Sequence, residues 1–261
     1  MTPHDRILAF TPTYGNRRHI RETIAAMRAT AGTWVDWLVV AGAPSLDLAN
    51  DLQALLHDPA GHGIQYLKIF PENRGQHWAT RVALEIARAN SYPWLLRIDD
   101  DIQPKTKGWL RGSLIPDVRG LPRTGMLDRL EWLREASGDP EFRLVASPRV
   151  VGLNSPLEPS AVLEKPGQAF RAEMMPILGG ACRLHPLRLL DGFEPDIYAP
   201  RGRTDPEQLG QHLLSRQGIY VRFPDITVRH PTDELESRDT LEESEQRQQG
   251  KVWPWLESSE V

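Results

Sequence analysis

The first hundred residues alternate between short apolar runs and amphipathic patterns, and this alternation limits the fold more than any other feature. The apolar runs predict strands at Arg6–Thr11, Trp34–Ala41, Ile64–Ile69 and Pro93–Ile98. Helical spacing of apolar residues predicts helices between them, at Arg18–Thr30, Leu46–Leu56 and Gly75–Asn90. Strands separated by helices of this length are typical of βαβ units, so we expect an α/β fold with a parallel sheet.

The second half is less regular. A helix is predicted at Leu127–Ala136, a strand at Phe142–Val151, a Pro-rich loop at Gly152–Ala169, a further element opening at Gly179–Arg183, a helix at Glu207–Arg216 beginning from Asp205-Pro206, and strands at Ile219–Phe223 and Ile226–Arg229. No internal repeat is visible, and the chain is long enough for one large domain.

The composition excludes several classes of protein. With 261 residues, 40% hydrophobic and 25% charged, the chain is neither disordered nor a membrane-spanning protein, and no apolar run approaches the roughly 18–20 residues that a spanning helix needs. Cys182 is the single cysteine, which excludes a disulfide scaffold and favours a reducing compartment. The first residues lack a basic segment followed by an apolar one, so we expect a cytoplasmic protein.

The net charge of −4 is unevenly distributed. From Pro231 onward there are nine acidic and three basic residues, so this stretch carries −6 and the rest of the chain +2. We therefore predict a domain at 1–231 and an acidic C-terminal extension at 232–261, with Trp253-Pro254-Trp255 as an anchor. Domains that bind a phosphate backbone are usually distinctly basic, whereas the part of this chain before Pro231 is nearly neutral. DNA nevertheless stays among the candidate acceptors.

Three adjacent carboxylates, Asp99-Asp100-Asp101, follow the fourth predicted strand. They repel one another at the rim of the sheet, where a cation would relieve the repulsion, and Mg²⁺ and Mn²⁺ take oxygen ligands. The alternative is a solvated acidic turn. A calcium loop would need glycine at its sixth position, which here is Pro104, and phosphatases carry their Asp-x-Asp motif on the first strand.

Taken in order, the motifs between Arg6 and Pro231 resemble those of the GT-A glycosyltransferases, specifically of the family 2 type. These motifs are Thr11-Pro12-Thr13-Tyr14 with Asn16-Arg17, Glu72-Asn73-Arg74-Gly75, the Asp triplet as a DXD motif, Gly179-Gly180 before Cys182-Arg183, Asp191-Gly192-Phe193-Glu194, Asp205-Pro206-Glu207 before Leu209-Gly210, and His230. The resemblance implies a single GT-A (Rossmann-like) domain with a mixed, mainly parallel sheet flanked by helices.

The resemblance also implies a nucleotide-sugar donor and a Mn²⁺ or Mg²⁺ cofactor. In such enzymes the first Asp of the motif, here Asp99, faces the ribose, and the last, Asp101, binds the metal. Asp100 would be their neighbour in the donor site. His230 resembles the late histidine that completes the metal site in some members; alternatively it is a loop residue before Pro231.

A base must take the proton of the acceptor hydroxyl, and the family places an acidic residue at the start of the helix for this purpose. Asp205 and Glu207 both fit the motif. Asp205 before Pro206 is also a natural N-cap, and Thr204 with Glu207 spells a capping box. A carboxylate can cap the helix and act as the base, so both residues stay candidates.

The resemblance places the donor nucleotide along Thr11, Pro12, Thr13 and Tyr14, with Asn73 nearby and with Arg17 or Arg74 at the phosphates. For the two arginines the alternative is an ordinary surface charge. Family members commonly end the second strand with Asp-Asp-Gly-Ser, whose acid contacts the base, whereas this chain reads Ala41-Gly42-Ala43-Pro44-Ser45. The resemblance implies a UDP-sugar as the donor, but the missing acid removes the usual contact to uracil and leaves the identity of the base open.

Four further residues are candidates for contact with the donor sugar or the acceptor. Gly179 and Gly180 would let the backbone approach a ligand closely, or they form a plain tight turn. Trp78 and Trp109 flank the predicted site and could stack on a sugar, or they belong to the core.

These observations predict an inverting, metal-dependent transferase of the hexosyltransferase type. It would move a sugar from a nucleotide donor to a hydroxyl of a glycan, small molecule, protein or modified nucleic-acid base. The alternatives are a catalytically silent nucleotide- or sugar-binding module and a sugar-phosphate nucleotidyltransferase. The second alternative needs a Gly-rich loop with Arg and Lys after the first strand, which Thr11–Arg18 lacks.

Overall fold

A computed structural model of the chain describes residues 6–15, 19–31, 35–57, 63–112, 124–138, 143–152, 158–164, 170–176, 178, 180–195 and 205–231. Its strands are β1 (Ile7–Tyr14), β2 (Val35–Gly42), β3 (Tyr66–Phe70), β4 (Trp94–Ile98), β5 (Gln103–Pro104), β6 (Leu144–Val151), β7 (Ala161–Glu164), β8 (Arg171–Met175), β9 (Cys182–Pro186) and β10 (Ile219–Arg229). Its helices are α1 (His19–Ala31), α2 (Leu46–Leu56), α3 (Gly75–Ala89), α4 (Met126–Ser137), α5 (Asp205–Ser215) and a short 3-10 helix at Leu187–Leu190. The predicted extension at 232–261 lies outside the described residues.

The described strands form one mixed sheet in the order β3-β2-β1-β4-β9-β6-β10-β8-β7, with β5 paired to β10. The longest ladders, β1 with β2 and β6 with β10, are parallel, and β9 runs antiparallel to both β4 and β6. This is the predicted α/β class with a mixed, mainly parallel sheet. The carboxyl ends of the four strands β1 to β4 therefore meet at one edge.

Helices cover both faces of the sheet, because successive residues of each central strand point to opposite sides. In β1, Ile7 belongs to the core cluster that includes residues of α1, α2 and α4 on one face, and Leu8 belongs to the cluster that includes residues of α3 and α5 on the other. None of the described helices is long and apolar enough to cross a bilayer.

Two predictions for the second half are wrong. The Pro-rich loop predicted at Gly152–Ala169 contains β7, an edge strand whose four residues are all exposed. Its sequence therefore shows no alternation of buried and exposed residues from which a strand could be predicted. The two short strands predicted at the end of the domain are one strand, β10, with a register shift between Phe223 and Thr227. Pro224, which has no N–H for a ladder, falls in that irregularity.

Gly125 shows how tightly α4 is fitted to the chain that follows the Asp triplet. The amides of Met126 and Leu127 donate to the carbonyl oxygens of Trp109 and Leu110 at 2.9 and 2.8 Å. A Cβ on Gly125 would lie 2.5 Å from the backbone of Leu110. Since backbone atoms cannot move aside like a side chain, this position needs glycine for space.

We expect Gly125→Ala to lower the free energy of unfolding by about 2–4 kcal/mol, because the methyl group must push two bonded backbone segments apart. Gly210→Ala in α5 is the matched control: its Cβ would meet only the Tyr220 hydroxyl, at an ordinary 3.6 Å. The control should be neutral or up to about 1 kcal/mol stabilising, through helix propensity. Urea denaturation of both variants measures the difference, and equal stabilities would contradict the close approach.

Candidate active site

The loops after β1, β2 and β3 are joined by backbone hydrogen bonds into one rim. The amide of Gly15 donates to Gly42 O (3.3 Å), that of Ser45 to Gly15 O (2.9 Å), and that of Ala43 to Phe70 O (2.9 Å). In open α/β sheets, ligands bind in the crevice outside the carboxyl ends of the strands. The rim is therefore the natural place for a ligand, and the Asp triplet stands beside it at the end of β4.

Asp100, the middle residue of the triplet, points into the protein. Its carboxylate accepts a hydrogen bond from the Thr13 hydroxyl at 2.7 Å, and its carbonyl oxygen accepts one from Thr23 at 2.9 Å. The residue is 6% exposed. Its carboxylate thus fastens the end of β1 to the triplet, next to the predicted donor site.

Asp99 is held at the inner side of the rim. Its amide donates to Ala181 O at 2.8 Å, and its carboxylate accepts from the Arg97 guanidinium at 3.0 Å. Burial raises the pKa of the Asp99 carboxyl, and the charge of Asp101 raises it further, while Arg97 and Arg183 oppose both effects. A cation arriving at the triplet would relieve the same unfavourable charge.

Asp101 and His230 meet, as the resemblance implied. Nε2 of His230 lies 3.1 Å from Oδ2 of Asp101, and each side chain is 22% exposed. The pairing of β5 with the end of β10 brings them together, and the amide of His230 is fixed on Val151 O at 2.8 Å. Within the described part of the chain, no group of three or more His, Cys, Asp or Glu side chains is placed so that it could hold a metal ion by itself.

A carboxylate oxygen and an imidazole nitrogen at this distance, both reachable from solvent, fit a divalent ion that completes its shell with phosphate and water. Mg²⁺ and Mn²⁺ are commonly bound by one or two protein groups together with substrate phosphates. The residues present therefore suit a metal that arrives with a diphosphate.

The turn predicted to lie along the nucleotide is only partly open. Thr11 is fully buried and its hydroxyl accepts from the Trp37 indole at 3.1 Å, while the hydroxyl of Thr13 is engaged by Asp100. Pro12 and Tyr14 are half-buried at the rim. Of this turn, Pro12, Tyr14 and the backbone are what a ligand could touch.

Asn73 closes the rim next to β2. Its side-chain oxygen accepts from the amide of Gly75 at 3.0 Å, which turns the chain into α3. A Cβ on Gly42 would lie 2.9 Å from Asn73 Cα, so the end of β2 can approach this turn only as glycine.

Arg74 and Trp78 form a stacked pair beside that turn. The Arg74 guanidinium lies 4.7 Å from the centre of the Trp78 ring and 5.2 Å from that of Phe70, and it donates to Glu72 at 3.0 Å. Arg81 lies 5.8 Å from the same indole. Trp78 is thus already in contact with two cations, and Arg74 is exposed and within reach of an anionic ligand.

The remaining predicted residues fall in different places. Trp109 is 1% exposed within the core, so its ring has no open face for a sugar. Gly180 is half-buried and precedes Ala181, the residue that holds the Asp99 amide. Arg17 and Gly179 lie outside the described residues.

Helix α5 begins at Asp205, at the predicted start signal, and places Asp205 and Glu207 in its first turn. Its described side chains begin at Leu209, which is buried with Leu213 against the α3 face of the sheet. Gly210 lies beside the Tyr220 hydroxyl of β10.

Two buried arginines next to the triplet were not predicted. The register of β4 on β9 places Arg97 opposite Arg183 and Leu95 opposite His185. Arg97 is 3% and Arg183 0% exposed. The sequence signal was available, since Arg97 interrupts an otherwise apolar strand, where a charge is rare unless it is paired.

His185 is buried beside these cations. Burial, with Arg183 and Arg97 adding to it, lowers the pKa of His185 to about 3. Its Nε2 is buried and has no hydrogen-bond partner among the described residues. The folded protein therefore holds this imidazole neutral, whereas an unfolded chain would protonate it near pH 6.5.

We expect His185 to make the protein less stable in acid. As the pH falls from 7 to about 4.5, His185 binds a proton in the unfolded state but stays neutral in the folded state. The free energy of unfolding should therefore decrease by about 2–3 kcal/mol over this range. Denaturation curves of wild type and His185→Gln at several pH values measure this, and the variant should show the shallower pH dependence. Parallel curves would contradict the buried neutral imidazole.

Solved structures with the same fold are glycosyltransferases. The mannosyltransferase PcManGT from Pyrobaculum calidifontis, in complex with GDP-Man and Mn²⁺, matches with a TM-score of 0.57 and 15% identity over 88% of this chain and 59% of its own. GalNAc-T7 with UDP, GalNAc and Mn²⁺ matches with a TM-score of 0.58 and 8% identity over 85% and 42%. S. aureus TarS matches with a TM-score of 0.51 and 14% identity over 87% and 37%.

These likenesses show that the chain has the GT-A fold that its motifs predicted. It spans 37–59% of the length of these three structures. No protein-family model and no curated protein sequence matches it.

Proposed function

We propose that this protein is a metal-dependent, inverting glycosyltransferase of the hexosyltransferase type that uses a nucleotide-sugar donor. The observation that carries the proposal is the Asp101–His230 pair, 3.1 Å apart, beside Asp99 at the rim of a GT-A sheet. Two proteins of the same fold hold a nucleotide or nucleotide-sugar together with Mn²⁺, which supports the same ligand class here.

The donor nucleotide would lie along the rim between the ends of β1 and β3. Pro12, Tyr14 and the backbone of the turn would line one side, with Asn73 and Arg74 at the other. Asp99, fixed by Arg97, would accept hydrogen bonds from the ribose. Because β2 ends in Ala41 and Gly42 without a carboxylate, the base of the nucleotide would be held by stacking and by backbone groups. A UDP-sugar is our first candidate for the donor.

Asp101 and His230 would hold Mn²⁺ or Mg²⁺. Such an ion, when bound, neutralises the diphosphate leaving group. The protein's part is to keep the two ligands at a fixed separation, which the β5–β10 pairing does, and to keep Asp100 turned away.

Asp205 or Glu207, at the start of α5, would take the proton of the acceptor hydroxyl. The acceptor oxygen then bonds to the anomeric carbon as the bond from that carbon to the phosphate oxygen breaks, and the nucleoside diphosphate leaves. A single displacement inverts the configuration of the sugar. The candidate acceptors are the hydroxyl groups of a glycan, a small molecule, a protein or a modified nucleic-acid base.

One observation favours a second candidate, a silent nucleotide- or sugar-binding module. The missing carboxylate at the end of β2 removes a base contact that the resemblance led us to expect. Such a module would bind donor and metal without turnover. Under either hypothesis we propose that the protein is cytoplasmic and that its GT-A domain spans residues 1–231.

A panel of nucleotide-sugars, read by thermal shift with and without Mn²⁺, tests the proposal. We expect a metal-dependent rise in melting temperature with one donor class, equivalent to about 2–3 kcal/mol at a hundredfold excess over the dissociation constant. Asp101→Asn should abolish the metal dependence because it removes a ligand. Asp51→Asn, at an exposed ion pair between α1 and α2, is the control and should respond like wild type. No response to any donor would refute the transferase and the binding module alike.

Substitutions at the start of α5 separate the base from the helix cap. We expect either Asp205→Asn or Glu207→Gln to lower kcat by about 10²–10⁴-fold with donor affinity unchanged, because general-base catalysis contributes that much. The other variant should cost at most about 1 kcal/mol of stability, as lost capping does. Single-turnover rates and donor titrations measure both, and full turnover in both variants would place the base elsewhere.

A further inference from the structure

Arg97 connects two segments that are far apart in the sequence. Its Nε donates to Asp99 Oδ1 at 3.0 Å and one of its terminal nitrogens donates to Gln76 Oε1 at 2.8 Å. The side chain is buried in β4, while Gln76 lies in the first turn of α3. A single guanidinium therefore spans from the triplet to the start of that helix.

Both ends of this bridge belong to the rim. The first turn of α3 follows Asn73, whose backbone lies against Gly42 at the end of β2. Asp99 is fixed on its other side by the bond from its amide to Ala181 O. Arg97 therefore sets how far Asp99 stands from the Asn73 turn, across the opening that a ligand would enter.

Packing alone gives no reason for arginine at this position. Arg97 faces Arg183 across an antiparallel ladder, and both are almost completely buried. Like charges directly opposite each other destabilise a sheet, and replacing a buried ion pair by apolar residues is often neutral or stabilising. Leu95, two residues earlier on the same face of β4, is apolar and almost completely buried, so an apolar residue suits this face of the strand. The cost of the second buried cation points to a task at the carboxylate.

We propose that Arg97 is the positioning residue of this site: by bridging Asp99 and Gln76 it holds the Asp99 carboxylate in the orientation that binds the donor. The inference rests on the proposed function and adds a residue to it. Only arginine suits the task, because its planar fork donates in two fixed directions, whereas lysine presents one mobile point charge.

A double-mutant cycle on donor affinity tests the assignment. Arg97→Met should raise the donor dissociation constant about tenfold, the effect of one lost charge-assisted hydrogen bond, with kcat at saturating donor within about twofold. In an Asp99→Asn background the same change should have no further effect, because Arg97 acts through that carboxylate. Arg97→Lys should recover part of the loss by pairing with Asp99 alone.

Two more variants separate positioning from folding. Gln76→Leu leaves the Asp99 bond in place and removes the far anchor, so donor affinity should fall about two- to threefold with little change in melting temperature. Arg222→Met, on the other half of the sheet, breaks a comparable buried pair with Glu173 (2.7 Å) and should lower stability without changing donor affinity.

The outcomes are distinguishable. If wild type binds no nucleotide-sugar, the proposed function fails and this assignment with it. If wild type binds a donor but the effects of Arg97→Met and Asp99→Asn add, or Arg222→Met weakens binding equally, the proposed function stands and the positioning role is overturned. Non-additive effects with an unaffected Arg222→Met support it.

Discussion

The buried contact between Thr13 and Asp100 is the interaction on which the arrangement of the site depends. Three adjacent carboxylates would repel one another if all of them faced one opening. Burying the middle one on a hydroxyl at 2.7 Å, with Thr23 holding its carbonyl, divides the triplet. Asp99 and Asp101 are left at the rim with separate partners, Arg97 and His230. The same contact ties the end of β1 to the end of β4, so it both divides the charges of the triplet and attaches the triplet to the rim.

The half of the rim that we propose as the metal site depends on a strand that is distant from β4 in the sheet. His230 follows β10, which is separated from β4 by β9 and β6, and reaches Asp101 only because the two-residue strand β5 pairs with the end of β10. The pairing is short, and the amide of His230 adds one bond to β6. The contact therefore requires β4, β5 and β10 to be in place together. The position of these two side chains therefore depends on long-range strand pairing and not on a local sequence motif.

Periodicity predicted the first half of the chain because β1, β2 and β4 are almost completely buried and the helices between the strands are amphipathic. It missed β7 because none of the four residues of that strand is buried. The order of motifs predicted that Asp101 and His230 belong to the same site. Trp109 was assigned to the site because it is near the triplet in sequence, but it is buried in the core, where its carbonyl oxygen accepts a hydrogen bond from the residue after Gly125. The sequence could not predict that the Asp100 side chain points inward. The triplet lies in a turn after the strand, where side chains no longer alternate between the two faces of the sheet.

The arginines beneath the triplet reduce the cost of holding carboxyl groups at this rim. Burial raises the pKa of Asp99, and Arg97 and Arg183 oppose part of that rise; burial lowers the pKa of His185, and the same two arginines lower it further. Their mutual repulsion is a cost to the fold, which the Asp99 and Gln76 contacts of Arg97 offset in part. The consequence is a site whose Asp99 carboxyl group is already oriented by its neighbours. A metal–diphosphate ligand would then bind to groups that are already in place, without first having to order them.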